Sequence, residues 1–233
     1  MKIAYTVSER EHWISAAGGL LAIVALLWVG GWASGAHGGV MTTASMGASV
    51  ILLFAAPHGA MSQPWAVFGG HLISALIGVA CARWLGAEPI LAGSLAVALS
   101  LAAMYSLRCL HPPGGATALY AVLGGPAVHS LGYAYVLSPV LLDVAVLLAV
   151  AVIFNYPFAG RRYPQIWFAP KNRPAQQPDM IPHSNLVYAL AELDTFVDIS
   201  EEDLQKIYTL AVHGQQHPAS DRNAPQGAAE TAG

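Results

Sequence analysis

Few residues in the apolar part of this chain can do chemistry, and the densest group of them is His111-Pro112-Pro113-Gly114-Gly115-Ala116-Thr117. Imidazole and hydroxyl groups can hydrogen-bond a small polar solute or hold a proton, and glycines let a solute approach the backbone closely. The two prolines forbid continuation of a preceding helix and are tolerated at the start of the next. A helix beginning at Pro113 presents the N–H groups of Gly114 to Thr117 without partners inside it, and the partial positive charge of that end favours an anion. A second group, Gly47-Ala48-Ser49, repeats the small-small-hydroxyl order of Gly115-Ala116-Thr117, and Pro57 follows it as Pro126 follows the other. His71 is the third candidate, a histidine within an apolar segment, where an unpaired imidazole is costly. Together these residues form a donor cage without a fixed cation. Such a cage suits passage, because a lysine or arginine would hold an anion too tightly to release it.

The solvent for these groups follows from composition. Of 233 residues, 55% are hydrophobic and 10% charged, against roughly 25% charged in soluble domains, and mean hydropathy is +0.52. Between Trp13 and Gly160 the only charged residues are Arg83, Glu88, Arg108 and Asp143. These numbers describe an integral membrane protein. A net charge of −3 points to no strongly charged partner, and nothing reads as a nucleic-acid surface. Cys81 and Cys109 lack CxxC spacing and read as small buried residues. The membrane histidines are widely scattered, which gives no metal-ligand spacing, so neither a metal nor another cofactor is expected and the chain does not read as an enzyme. A metal-dependent membrane enzyme and a membrane scaffold are the rival readings to transport.

The elements that must position these groups are apolar segments long enough to cross lipid, about 20 residues each. Trp13 to Ala33 is uncharged, longer than a signal-peptide core and followed by further spans, so it is read as retained. A glycine-rich turn leads to a short segment from Val40 to Ala56. Trp65 to Ala82 carries His71, and Pro89 to Leu107 opens with a proline. A segment from Pro113 reaches only to about Leu123, roughly half a bilayer at ~1.5 Å per residue. Tyr135 to Phe154 encloses Asp143, for which structural pairing with Arg108 or a histidine is expected, with a proton relay as the alternative. Arg108 reads as an interfacial snorkelling residue or an attractor at the entrance. His58 and His129 read as solvated loop residues.

This order suggests a duplicated span, broken helix, span arrangement in an all-α polytopic bundle, with Gly47 to Ser49 and His111 to Thr117 as neighbours. Arg10 before the first span and Arg161, Arg162, Lys171 and Arg173 after the last place both termini in the cytoplasm. Four spans with two re-entrant segments and six full crossings both satisfy that. Residues 1–168 form the membrane domain and 169–183 a proline-rich linker. Residues 184–213 form a soluble helical hairpin, with Ser200 and Asp203 at capping-box spacing, and 214–233 a disordered tail. Homo-oligomers through the membrane helices or the hairpin are compatible with this plan.

The stretch from His111 to Leu119 resembles the HPP family of integral membrane proteins. So do Gly47-Ala48-Ser49-Val50-Ile51-Leu52-Leu53-Phe54, Gln63-Pro64 followed by Gly69-Gly70-His71, and Arg162-Tyr163-Pro164. The similarity covers roughly residues 13 to 168. Chloroplast and cyanobacterial members are implicated in nitrite transport, so the resemblance implies a small inorganic anion as partner, in a bacterial inner membrane. The hairpin resembles the segment that joins the membrane domain to CBS nucleotide-binding domains in longer members, which do not follow here. Trp65-Ala66-Val67 departs from an Arg-Asn pair common in the family, which puts the substrate in doubt.

Overall fold

In lipid each backbone N–H and C=O must find its partner within the protein, which leaves helices as the spanning structure for a chain of this composition. The computed structural model describes residues 9–158, 161–168, 204, 206 and 208, and side chains in the same set less 34–44. Among the described residues there is no strand. The helices are α1 (Glu9–Ala55), α2 (Pro64–Leu85), α3 (Pro89–Ser106), α4 (Pro113–Leu123), α5 (Gly125–Leu131) and α6 (Leu142–Asn155). Short 3-10 turns stand at Ala60–Ser62 and Gln165–Trp167, and a wide turn over Val136–Leu141 leads into α6. Two compact units divide at Arg173, the first being Met1–Arg173. In the second, Leu204, Lys206 and Tyr208 are helical. The expected hairpin, the linker from 169 and the tail otherwise lie outside the described residues.

Four apolar stretches are long enough to cross a membrane: Glu9–Ala33, Pro64–Leu85, Pro89–Ser106 and Val136–Asn155, with Ser45–Ala55 as a shorter apolar helix. Side-chain contacts show how they are threaded. Arg161 reaches both Ser15 (3.0 Å) and the carbonyl of Phe54, although a straight helix would hold those residues about 60 Å apart. The helical run of α1 therefore folds back on itself into an N-terminal arm, Glu9–Ala33, and a C-terminal arm, Ser45–Ala55. Phe54 returns to the level of Gly18, and Val50 to that of Gly19. The indole of Trp65 at the start of α2 donates to the carbonyl of Leu107 after α3 (3.1 Å), so this end of the bundle is shared. Arg83, near the end of α2, lies over the ring of Tyr133 (5.6 Å) at the opposite end. The chain therefore passes between an Arg161 end and an Arg83 end six times, in the order α1 out and back, α2, α3, α4 and α6. The half from α3 runs opposite to the half from α1, which decides for the inverted arrangement. Full-length helices make the outer passes of each half, and Ser45–Ala55 and α4 occupy matching central places.

Packing is the reverse of that in a soluble domain. The largest apolar side chains face outward: Trp28 is 77% exposed, Trp84 80% and Ile90 87%. The interior mixes Ala, Gly and Ser with Val and larger residues such as Leu26, Leu53, Phe54, Tyr135 and Tyr163. Without a hydrophobic drive between helices in lipid, close approach of backbones supplies the cohesion. Gly70, Ser74 and Gly78 recur every fourth residue on α2, and a Cβ at Gly78 would come within 2.6 Å of the Ala118 carbonyl on α4. A Cβ at Gly114 would meet the Gly70 carbonyl at the same 2.6 Å. The α2–α4 contact is thus backbone against backbone.

The segment boundaries differ from the sequence expectation mainly at polar edges. α2 begins at Pro64 and runs to Leu85 rather than ending before Arg83, because a long cationic side chain at a helix end reaches the interface without breaking the helix. Beyond Leu123 the chain forms α5, with Pro126 in its first turn, where a missing N–H costs little.

Candidate functional site

The expected neighbours do meet. α4 begins at Pro113 after a Pro112 cap, and the loop before it is set by the end of α3. There the Cys109 N–H bonds the Met104 carbonyl (2.9 Å) and the Arg108 N–H bonds the Tyr105 carbonyl (3.2 Å). This is a Schellman closure with Arg108 in the left-handed position, φ +52°. It turns Cys109 inward against Gly69, and His111 against Gly70. On the arm Ser45–Ala55, Met46, Ser49, Val50 and Leu53 form the inward stripe. His71 lies two turns into α2.

Ser49, His71, His111 and Thr117 are all fully buried and form one hydrogen-bonded chain. Ser49 Oγ is 2.8 Å from His71 Nε2 and 2.8 Å from His111 Nε2. His71 Nδ1 is 2.7 Å from Thr117 Oγ1, and His111 Nδ1 is 2.7 Å from the Met61 carbonyl. A carbonyl can only accept, so His111 donates there and, as a neutral imidazole, accepts at Nε2 from the Ser49 hydroxyl. Ser49 then accepts from His71 Nε2–H, and Thr117 donates to His71 Nδ1. The polarity runs one way, from Thr117 to Met61. A proton added at His71 Nδ1 is also accommodated, because Thr117 can turn its hydroxyl to the Pro113 carbonyl at 3.5 Å.

Gly114 and Gly115 do not present free amides. Their N–H groups bond the carbonyls of His111 (2.8 Å) and Pro112 (3.0 Å), and Gly114 is pressed on Gly70. Ser49 sits inside helical backbone, so it contributes a hydroxyl rather than a helix-end amide. Pro113 and Gly114 are buried, Gly47 and Gly115 half-buried, and Pro112, Ala48 and Ala116 exposed. Among the described residues an added Cβ at Gly47 would meet nothing within 4 Å, and at Gly115 only Val97 at 3.9 Å.

Residues that the sequence reading did not single out complete the surroundings. The Met61 carbonyl orients His111. Tyr163 is buried and donates to the Ser62 carbonyl (2.8 Å) beside it, while burial raises its phenol above the ordinary range. Tyr135 donates to the Thr117 carbonyl (3.3 Å). Arg161, 3% exposed, binds Glu11, Ser15, the Phe54 carbonyl and Asn155 Oδ1, so it joins both arms of α1 to α6. Its sequence signal was only that of a cation after a span. Asp143 is 1% exposed and its Oδ2 has no hydrogen-bond partner among the described residues. Arg108 is exposed at the other end of the bundle, so the expected pairing with it does not form. His58 lies 3.2 Å from Gln165, and the His129 ring, 2.8 Å from the Val122 carbonyl, caps the end of α4 instead of being merely solvated. Both cysteines are buried and free. Among the described residues no three His, Cys, Asp or Glu side chains converge as a metal site.

Residues 4–164 match the family model described as HPP, transmembrane region. Two curated relatives, both transmembrane proteins of Dictyostelium discoideum, are each 34% identical over 127 residues. The matches cover 53% of this chain, but only 40% and 44% of the relatives' own lengths. No solved structure matches.

Proposed function

The chain belongs to the HPP transmembrane family, and from that premise we propose that it is a transporter or channel for a small inorganic anion, with nitrite as the first candidate. The observation that carries this reading is the buried chain Thr117–His71–Ser49–His111, built from a half-length helix, its counterpart arm and α2 inside a lipid-facing bundle. Polar groups are expensive at that depth, and four side chains held there without a fixed charge suit a solute that must leave as readily as it enters. Ring N–H and hydroxyl groups donate to nitrite oxygens, and a proton on His71 adds the attraction of a cation while the ion is bound. Neither Gly47 nor Gly115 is held by close packing among the described residues, so both can serve a passing solute without being needed for the fold. With the Arg161 end in the cytoplasm, both termini obey the positive-inside rule.

Uptake into proteoliposomes tests this reading. Nitrite flux above that of empty vesicles, reduced at least tenfold in His111→Ala with the fold retained, is the expected result. Absence of flux for nitrite, nitrate, formate and chloride would overturn it.

A further inference from the structure

Asp143 is a carboxyl inside a span, and the family reading does not use it. The last pass reaches it through an irregular entrance. Over Val136–Leu141 the backbone leaves the α-helix, Ser138 is extended (φ −139°, ψ 111°) and Pro139 brings no N–H. Non-helical backbone at such a place survives only where protein or a wet cavity satisfies it. Asp143 follows one turn after Pro139, about 10 Å from the Arg83 end, with buried Val140, Val144 and Leu147 on the same helix. Its Oδ2 is sealed from solvent and has no partner among the described residues.

The neighbouring polar groups are tyrosines. Tyr135 lies within electrostatic range of Asp143 and packs its ring against Tyr120, centroids 6.5 Å apart, and the Tyr120 hydroxyl is likewise buried with no hydrogen-bond partner among the described residues. Tyr135 also donates to the carbonyl of Thr117, whose hydroxyl meets His71. The titratable groups connected to this place are therefore Tyr135 before α6, Tyr120 of α4 against its ring and, beyond Thr117, His71 of α2. From α1, Glu11 is tied to the far end of α6 through Arg161 and Asn155. Among the described residues no cation pairs with Asp143. An unpaired carboxylate is costly in such surroundings, whereas the acid is neutral and can donate a hydrogen bond.

We propose that Asp143 is a proton-carrying site, separate from the Ser49–His71–His111–Thr117 cluster, that loads from the Arg83 end and couples proton movement to the anion. Loading forms the O–H bond at Oδ2 from a hydronium ion in the entrance, and unloading returns that proton to water. Only a proton is exchanged. The coupling half of this inference rests on the anion-transport reading, whereas the proton site does not.

Carbodiimide labelling of the full chain in liposomes reads the site directly, because the reagent attacks protonated carboxyls in apolar surroundings. Mass spectrometry should place the adduct on Asp143, increasing several-fold as pH falls from 8 to 6 and absent in Asp143→Asn. An unlabelled Asp143, or labelling independent of pH, overturns the proton site whether or not any anion moves. For coupling, Asp143→Asn should lose pH-gradient-driven nitrite accumulation by at least tenfold while retaining nitrite exchange, and unchanged accumulation overturns coupling. Should that variant fail to fold, the wild-type labelling and the pH-gradient dependence of wild-type uptake decide. A wild type that moves no anion sinks the transport reading, and coupling with it, but leaves the labelling result standing.

Discussion

His71 and His111 meet edge to face, ring centroids 5.0 Å apart at 60°, with their Nε2 atoms on the same serine hydroxyl. One Ser49 hydroxyl therefore serves two imidazoles, donating to His111 and accepting from His71, and the tautomer of each ring depends on the other. Because the Met61 carbonyl fixes His111, the whole chain out to Thr117 is oriented by a backbone group in the turn before α2.

Ser49→Ala removes the shared partner and leaves two buried ring nitrogens unsatisfied. A loss of about 1 to 3 kcal/mol of stability is expected, together with reduced nitrite flux. Thermal unfolding in detergent and proteoliposome uptake check this, and an unchanged unfolding temperature would contradict the assigned bonds.

The glycines divide by what a methyl group would meet. Gly78→Ala and Gly114→Ala force a Cβ to 2.6 Å from a backbone carbonyl on the facing helix, which cannot rotate away, so overpacking of about 1 to 3 kcal/mol follows. Gly47→Ala and Gly115→Ala meet open space or ordinary contact and should leave the unfolding temperature within a degree or two. Lower flux in this second pair, with stability intact, would mark them as lining the path. Equal destabilisation in both pairs would refute the packing assignment.

Arg161 is buried while its partner Glu11 is 38% exposed, so solvent screens part of that pair. Arg161→Ala nonetheless strands the Phe54 carbonyl and Asn155, and about 3 kcal/mol is the expected cost. Arg161→Lys should recover only part of it, since an ammonium lacks the planar fork that reaches three elements. Full rescue by lysine, seen in unfolding curves, would show that charge alone matters there.

Tyr163 supplies a pH test outside the spans. Its phenol is raised by burial, so the unfolded chain ionises first. The stability it contributes is whole below about pH 10 and is lost as pH rises from there towards the folded value. Tyr163→Phe should cost about 1 kcal/mol near neutral pH, from the lost bond to Ser62, and should flatten the alkaline fall. A curve as steep as the wild type's would assign that fall to other groups.

Composition by itself established a membrane protein, because 10% charge leaves too little polar surface for water. Prolines and glycines likewise placed α4 at Pro113 and its end near Leu123, since a missing N–H is a local event that needs no tertiary information. The nearness of Ser49 and His111 was legible only as a consequence of the repeated pattern, and His71 only as an imidazole costly to leave unpaired in a span. Their bonding was not, because it depends on how far α2 and α4 interpenetrate at Gly70 and Gly114. Tertiary structure alone turned α1 back to bring Phe54 beside Ser15, decided for six passes in an inverted order, and used the Met61 carbonyl as the anchor of His111. It also left Asp143 without the arginine that sequence proximity in the membrane part had offered it. Those outcomes are set by which helix ends share a side of the bundle, and hydropathy along the chain carries no record of that.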